Sequence, residues 1–253
     1  MHNKFNKDGY IHIKNFHNNN YIDKFKNSFK NLCHYNQTNF ISLKNNKKFN
    51  EKEINKFLIN LKKNSPDVIK KIYTTSKHLS TFIQIFENKK IKNLCSKLLK
   101  TKSDNLIITD FQFRIDYPSD EKHTLKWHQD SSYYLQDTDG QNSLVCNVSL
   151  HNIKKNMGAV WIIPGSHKKR LKMQKKIGNK YKSGQREIIE KFNKRHAKQI
   201  ETNETDVTIY HPNLIHKSGF NRSNKIRYSA IARVYNPLSK SFNNFEKYYK
   251  LIK

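Results

Sequence analysis

The change in hydrophobic periodicity near Thr101 constrains the fold more than any other feature of the sequence. Before it, apolar residues recur every three or four positions, which predicts amphipathic helices from about Asn20 and between Glu51 and Leu99. After it, short runs rich in β-branched and aromatic residues follow one another through turns. That spacing favours a β-sandwich or closed barrel over a parallel βαβ sheet. The predicted class is mainly β with flanking helices, the N-terminal helices being packed outside the core.

Six segments are predicted to be strands, and they fall at residues 8–16, 106–117, 143–151, 158–163, 206–210 and 226–235. We expect a single domain over residues 1–253, in which residues 1–100 form a mostly helical flank. Residues 101–236 form the β core, and residues 237–253 form a C-terminal tail. A highly charged segment, residues 168–202, interrupts the core and is predicted to be helical or mobile.

The formal net charge of +29 comes from 49 Lys and Arg against 20 Asp and Glu. Because 42 of these cations are Lys and they are dispersed through every segment, the charge is typical of a solvated surface and of A/T-rich coding. A stripe that follows phosphates would be more concentrated, so nucleic acid is not the expected partner. The positive field still attracts anions, and an anionic small molecule is therefore a candidate substrate.

Cysteine content and hydropathy bear on the compartment. Cys33, Cys95 and Cys146 are odd in number and widely spaced, which argues against a disulfide framework and for a reducing compartment. The longest apolar run, residues 157–164, is far shorter than the roughly 18 residues that a membrane span needs. The N-terminal region contains no apolar segment typical of a secretory signal. We therefore expect a cytoplasmic protein with no membrane partner.

The segment Trp127-His128-Gln129-Asp130 carries the first indication of chemistry. On a strand, His128 and Asp130 would project from the same face, because they are two residues apart. His216, which follows the predicted strand at residues 206–210, supplies a second imidazole. Two neutral imidazoles and a carboxylate form the facial triad typical of non-haem Fe(II), with positions left for a chelating co-substrate and O₂. Zinc would accept the same ligands.

Arg227 lies eleven residues past His216, in a chain where Arg is scarce. A buried guanidinium offers two parallel hydrogen bonds to a carboxylate and stays charged. Beside a facial triad, this matches the needs of 2-oxoglutarate, whose keto-acid end chelates iron and whose distal carboxylate requires a cation and a hydroxyl. Ser218 and Ser229 are the candidates for that hydroxyl.

Three segments together resemble the phytanoyl-CoA dioxygenase (PhyH) family in order, spacing and chemistry. They are Trp127–Asp130, Asn156–Lys168 and Tyr210–Gly219, the last followed by Asn221 and Arg227. The resemblance extends over about residues 5–236. It implies a double-stranded β-helix, or jelly-roll, core with helices outside. It also implies an Fe(II)- and 2-oxoglutarate-dependent dioxygenase that hydroxylates a C–H bond of a small molecule and releases succinate and CO₂.

Carried over to this chain, the resemblance implies that His128, Asp130 and His216 hold Fe(II) and that Arg227 binds the distal carboxylate of 2-oxoglutarate. Further co-substrate contacts are expected from Ser218, Ser229 and Gln112. Substrate contacts are expected from Arg114, Gln129, Trp127, Tyr133 and Arg233, with Tyr134 flanking the site. Val148 takes a place where some members carry an aromatic residue near the co-substrate. Related halogenases lack the carboxylate of Asp130, so its presence favours hydroxylation.

Three alternatives stay open. An AlkB-like nucleic-acid demethylase shares the triad, and Arg233 follows Arg227 at the matching distance of six residues, but residues 158–168 and the surroundings of His216 look like the phytanoyl family instead. A non-catalytic, basic jelly-roll binding module is disfavoured by the intact triad and Arg227. A zinc- or iron-binding cupin that does not use 2-oxoglutarate is the third alternative.

Overall fold

A computed structural model describes residues 1–37, 43, 48–133, 142–169, 171–177, 185–239 and 242. The helices of these residues are α1 (His2–Asp8), α2 (Asn19–Tyr35), α3 (Glu51–Asn64), α4 (Pro66–Ser76), α5 (Ser80–Ile83) and α6 (Lys89–Leu99). The strands are β1 (Tyr10–Ile13), β2 (Ile107–Asp116), β3 (Ser143–Ser149), β4 (Val160–Ile162), β5 (Gln174–Lys176), β6 (Arg186–Ile188), β7 (Lys198–Ile200), β8 (Val207–Tyr210), β9 (His216–Lys217) and β10 (Arg227–Tyr235). None of the described helices is both long and apolar enough to span a bilayer.

The predicted helices are confirmed, and their ends follow from capping chemistry. The side chain of Asn18 accepts a hydrogen bond from the backbone N–H of Asn20 and so begins α2. Asn50 does the same for α3, and Pro66 opens α4 at a position where its missing N–H costs nothing. Helix α1 was not predicted, because a seven-residue helix that buries a single side chain, Phe5, leaves no periodic pattern.

The strands form two principal sheets. The larger is antiparallel with the order β1-β8-β3-β10-β2, and the smaller has the order β7-β4-β9. One face of the larger sheet packs on the helices, since Phe113 and Val148 share a core cluster with Phe25 and Phe82. Its other face meets the smaller sheet, where Val145 packs with the Ile162 cluster. This is the predicted jelly-roll with helices outside.

Alternation along β10 sorts its residues between the two faces of the sheet. The helix-side core takes Tyr228, Ala230, Ala232 and Val234. The residues between them line the interior cavity, and they are Arg227, Ser229, Ile231 and Arg233. Because side chains of a strand point alternately to opposite faces, a single strand supplies both the apolar core and the polar interior.

Residues 168–202 were expected to be helical or mobile, and a helix is wrong for the described part of this segment, which contains strands. Strands β5 and β6 pair with each other in this segment, and β7 joins β4 in the smaller sheet. Charged residues dominate these strands because they are short and mostly exposed on at least one face. Such strands carry too few apolar residues to show period-two alternation.

Candidate active site

The backbones of His128 and His216 are hydrogen-bonded to each other. The N–H of His128 donates to the carbonyl of His216 at 2.9 Å, and the N–H of His216 donates to the carbonyl of His128 at 3.1 Å. His216 also lies in β9, which pairs with β4. The backbone pairing does not extend to Asp130, because Asp130 begins a short 3-10 turn that ends at Ser132. The expected strand geometry therefore holds for His128 but ends before Asp130.

The three predicted ligand side chains converge. The Nε2 atoms of His128 and His216 lie 3.4 and 3.8 Å from Oδ1 of Asp130. All three residues are buried, and their candidate ligand atoms lie within 4.8 Å of one another. Among the described residues, no second group of three His, Cys, Asp or Glu side chains meets this criterion.

The tautomer of each imidazole is set by a backbone carbonyl. Nδ1 of His128 lies 2.7 Å from the carbonyl of Lys126, and Nδ1 of His216 lies 2.9 Å from the carbonyl of Leu214. Because a carbonyl only accepts, each Nδ1 carries a proton, which leaves Nε2 as the nitrogen that can bind a metal. Burial, together with the neighbouring His128, lowers the pKa of His216 to about 4, so this imidazole is neutral near pH 7.

Arg233 holds the carboxylate of the triad. Its Nη2 lies 2.9 Å from Oδ2 of Asp130, on the side away from the Oδ1 atom that faces the imidazoles. Burial of Asp130 opposes ionisation, but Arg233 and the two histidines outweigh it and lower the pKa of the carboxyl group. Arg233 was predicted to contact the substrate, whereas its guanidinium here pairs with Asp130, a predicted metal ligand.

The donor set fits ferrous iron. Two neutral imidazoles and one ionised carboxylate in a buried pocket are the protein ligands of non-haem Fe(II) oxygenases. Each imidazole is oriented by a hydrogen bond to its other nitrogen, and the carboxylate is oriented by Arg233. His128, Asp130 and His216 are thus the residues that could hold the metal.

Arg227 is buried and already paired with a carboxylate that the sequence analysis did not single out. Its Nε and Nη2 donate to Oδ2 of Asp116 at 3.0 and 2.6 Å, and its Nη1 donates to the carbonyl of Gly158. Nη2 of Arg114 donates to the other oxygen of Asp116 at 2.6 Å. Despite burial, the two guanidinium groups lower the pKa of Asp116 to about 2.

One cavity connects the triad to Arg227. Its lining includes four further polar residues that were expected near the co-substrate or substrate, namely Gln112, Arg114, Ser218 and Ser229. Asn147, Tyr210 and Lys217 also line it, and these three were not predicted. Asn147 and Tyr210 lie on inward-facing positions of β3 and β8, so strand alternation would have found them once the inward face was known. The ring of Tyr210 lies 5.0 Å from that of His216.

Two expected substrate contacts have other partners. Gln129 is fully buried, and its Nε2 donates to the carbonyl of Asn213 at 2.7 Å while its Oε1 accepts from the N–H of Lys172. Trp127 packs edge-on against Phe192 in a small apolar cluster. Neither lines the cavity of the triad.

Tyr133 and Val148 were both expected near the site, but their surroundings differ. The ring of Tyr133 stands edge-on to His128 at 5.9 Å, and its hydroxyl accepts the N–H of Arg186 at 2.6 Å. Tyr134 lies outside the described residues. Val148 faces the helices and is completely buried, so it does not take the place near the co-substrate that the resemblance suggests.

Comparisons with known proteins agree with this geometry. The family model of phytanoyl-CoA dioxygenase (PhyH) matches residues 5–229. Among solved structures, the non-heme monooxygenase ThoJ is similar, with 16% identity, a TM-score of 0.64 and coverage of 93% of this chain and 77% of that chain. The epimerase SnoN, in complex with Fe³⁺, alpha ketoglutarate and nogalamycin RO, has 13% identity, a TM-score of 0.61 and coverage of 93% and 82%.

A third similar structure is EvdO2 from Micromonospora carbonacea var. aurantiaca complexed with 2-oxoglutarate. It has 11% identity and a TM-score of 0.61, and the alignment covers 92% of this chain and 88% of that chain. At these identities the likeness demonstrates a shared fold. No curated protein sequence matches this chain.

Proposed function

Because the chain belongs to the phytanoyl-CoA dioxygenase (PhyH) family, we propose that it is an Fe(II)- and 2-oxoglutarate-dependent oxygenase that hydroxylates a C–H bond of a small molecule. The observation that carries the proposal is the convergence of His128, Asp130 and His216 in a cavity that Arg227 also lines. A metal triad alone would suit many reactions. A buried arginine in the same cavity adds the anchor for a dicarboxylic co-substrate.

The bound iron and 2-oxoglutarate would supply the oxidising power, through decarboxylation of the co-substrate to succinate and CO₂ and activation of O₂. The protein contributes the positions of the groups involved. The backbone carbonyls of Lys126 and Leu214 keep the imidazoles in the metal-binding tautomer, and Arg233 keeps the carboxylate of Asp130 in place. The site is therefore assembled by hydrogen bonds within the protein.

Arg227 is the proposed anchor of the distal carboxylate, although it is paired with Asp116. Two guanidinium groups share this single carboxylate, so the cluster of Arg114, Asp116 and Arg227 keeps a net positive charge. A second carboxylate is attracted to that charge in a poorly solvated cavity. Ser229 and Ser218 line the same cavity and are placed to add hydroxyl donors.

Apolar side chains help to exclude water from the same cavity. Leu125, Val160 and Ile231 stand in its wall among the polar groups. A dry site strengthens the charge interactions of Arg227 and limits side reactions of the activated oxygen. The protein's part is thus to hold, orient and desolvate the reactants.

The cheapest test needs no knowledge of the substrate. Protein freed of metal is given Fe(II), 2-oxoglutarate and O₂, and succinate formation and O₂ consumption are measured. We expect slow succinate formation that requires both additions and disappears in Asp130→Ala. His196→Ala, which changes an exposed histidine, is the matched control and should retain the wild-type rate. Equal succinate formation in Asp130→Ala and wild type would contradict the assignment.

The finer claim of hydroxylation has its own test. When a substrate is found, turnover under isotopically labelled O₂ should place one labelled oxygen atom in the product. A product that differs only in configuration would refute hydroxylation, while leaving 2-oxoglutarate dependence intact. Single-stranded oligonucleotides, added in the same assay, test the nucleic-acid alternative, and we expect no stimulation of succinate formation.

A further inference from the structure

The two sheets leave a seam on one side of the core. β2 is the edge strand of the larger sheet, and the segment that carries His128 lies at the edge of the smaller sheet through its bridge to His216. Nη2 of Arg114 reaches across this seam to the carbonyl of His123 at 3.3 Å, in addition to its contact with Asp116. Arg114 therefore stands between the two sheet edges.

A solvent-open cleft of about 350 Å³ lies on the outer side of this seam. It is bounded by the end of α3, by α4, by the end of β2 and by the residues that follow β2. Arg114 lines both this cleft and the cavity of the metal triad. Arg114 is the one described residue that lines both spaces, so it borders a molecule in the cleft as well as the cavity of the triad.

One side of the cleft is apolar and belongs to α4. Pro66, Ile69 and Tyr73 recur at three- and four-residue intervals, so they lie on one stripe of the helix. Ile69 and Tyr73 are half-buried and also touch the helix-side core, which fixes their position. This stripe offers an aliphatic and aromatic surface to a ligand.

The charged side of the cleft is positive. Each of its carboxylates has two basic partners, since Asp120 contacts Lys62 and His123 while Asp116 contacts Arg114 and Arg227. Lys70, exposed on α4, adds a further cation to the lining. The carboxylates are therefore already matched, and the excess charge of the cleft favours an anionic ligand.

We propose that this cleft is the substrate site and that it takes an organic anion, a carboxylate or a phosphate ester, joined to an apolar body. The inference rests on the proposed function and adds to it a place and a chemical class for the substrate. The apolar body packs on Ile69 and Tyr73, the anionic group lies near Lys70, and Arg114 controls the passage towards the metal site. Arg114 is thereby a specificity-determining residue.

Binding of three matched probes tests the chemistry of the cleft. The probes are 3-phenylpropionate, 3-phenylpropyl phosphate and the neutral 3-phenylpropanol, titrated calorimetrically into the full chain. We expect one or both anions to bind and the alcohol to bind at least about fivefold more weakly. The tighter of the two anions identifies the head group. Equal binding of the alcohol and both anions would overturn the proposal.

Two variants of adjacent residues locate the binding. Lys70→Glu reverses a charge in the cleft, whereas Lys71→Glu reverses one on the same helix outside it, where Lys71 lies over the ring of Tyr35. We expect Lys70→Glu to weaken anion binding about fivefold and Lys71→Glu to leave it unchanged. Equal effects of both substitutions would indicate a general surface attraction and reject the cleft as the site.

A competition experiment separates this inference from the proposed function. The anionic probe is titrated with and without 2-oxoglutarate and cobalt(II), a redox-stable substitute for iron. We expect the probe to bind in both cases, and its displacement by 2-oxoglutarate would place it at Arg227 and refute the cleft. Succinate formation is measured independently, so failure of the oxygenase assignment and failure of the cleft give different results.

Discussion

The cavity has two ends, and each end pairs a carboxylate with arginine. At the proposed metal end, Arg233 pairs with Asp130, and the carboxylate is the proposed ligand of the metal. At the other end the roles are reversed, because Arg227 is the proposed binding group and Asp116 occupies it. The metal end is therefore ready for its ligand, whereas the arginine end must share its cation between an internal and an external carboxylate.

The difference follows from the charges that the protein itself places at each end. The three predicted metal ligands include one negative charge, and Arg233 compensates it. The other end contains two buried or half-buried guanidinium groups, which would repel each other without Asp116. An uncompensated buried charge strongly destabilises a fold, so Asp116 stabilises the protein at some cost in affinity for the co-substrate.

The largest effect is expected from a substitution that destroys the metal end. His216→Ala deletes one of three protein ligands, and we expect iron affinity to fall by more than the roughly 100-fold that loss of an outer partner costs at most. Succinate formation should cease with it. Equilibrium titration of Fe(II) under nitrogen measures the affinity, and His34→Ala on the exposed side of α2 serves as the control. Wild-type iron affinity in His216→Ala would remove the triad from consideration.

Removing the arginine end should have the next largest effect, and on a different ligand. In Arg227→Met we expect 2-oxoglutarate to bind about 30- to 100-fold more weakly, because charge-assisted hydrogen bonds to its distal carboxylate are lost. Iron affinity should change little. The visible absorption band of the anaerobic Fe(II)–2-oxoglutarate complex reports both. The exposed Arg222→Met is the matched control, and similar co-substrate affinity in the two variants would exclude Arg227 as the anchor.

Arg233 allows a finer test of the metal end. In Arg233→Met the carboxylate of Asp130 loses its partner, and we expect iron affinity to fall about tenfold, as for other outer-shell changes. Arg233→Lys, which retains the positive charge, should recover part of the loss. If Arg233→Met changes only substrate response and not iron affinity, Arg233 is a substrate contact, as the sequence analysis expected.

The smallest effects are expected from replacing Asp116, which should lower the stability of the protein but strengthen the binding of 2-oxoglutarate. Asp116→Asn should lower the free energy of unfolding by about 2 kcal/mol, because Arg114 and Arg227 lose their shared anion. It should also increase the stabilisation that 2-oxoglutarate provides, since the co-substrate becomes the missing carboxylate. Thermal unfolding with and without 2-oxoglutarate measures both changes. A loss of stability without any gain in the co-substrate effect would show that Asp116 does not compete for Arg227.

This prediction also has a defined pH dependence. A carboxyl group whose pKa falls from 3.8 unfolded to about 2 folded contributes stability above the higher value and loses it as the pH falls through the lower one. The difference between wild type and Asp116→Asn should therefore be constant around neutral pH and shrink only in acid, between those two values.

The sequence predicted most of the fold, because burial leaves a periodic pattern in long elements. The five longer strands and the helices after Asn18 lie where periodicity placed them, and the three ligands meet as the motif implied. Strands β5 to β7 could not be found, since each has only three residues and at most one of them is apolar, which is too few to show a period. Periodicity and motifs together thus predict the long elements, the buried elements and the chemically distinctive residues.

The contacts within the site were harder to predict, because they depend on register between distant strands. Asp116 lies opposite Arg227 in the β2–β10 pairing, and no local feature of either segment reveals that partner. Gln129 was assigned to the cavity by its neighbours in sequence, although its side chain does not line the cavity and donates to the carbonyl of Asn213 instead. The missing information is therefore which way each side chain faces, and it can be read only when the sheet topology is known.

The mutual backbone hydrogen bonds of His128 and His216 bear on how the protein acquires its metal. Backbone pairing by itself holds the two imidazoles side by side, so a metal ion would not be needed to bring them together. A chelator assembled in advance follows the intrinsic preference of its donors, which places nickel, copper and zinc above ferrous iron. Cellular supply would then decide which ion is loaded. We expect protein made in zinc-rich medium to be folded but inactive, and restorable by simple metal exchange.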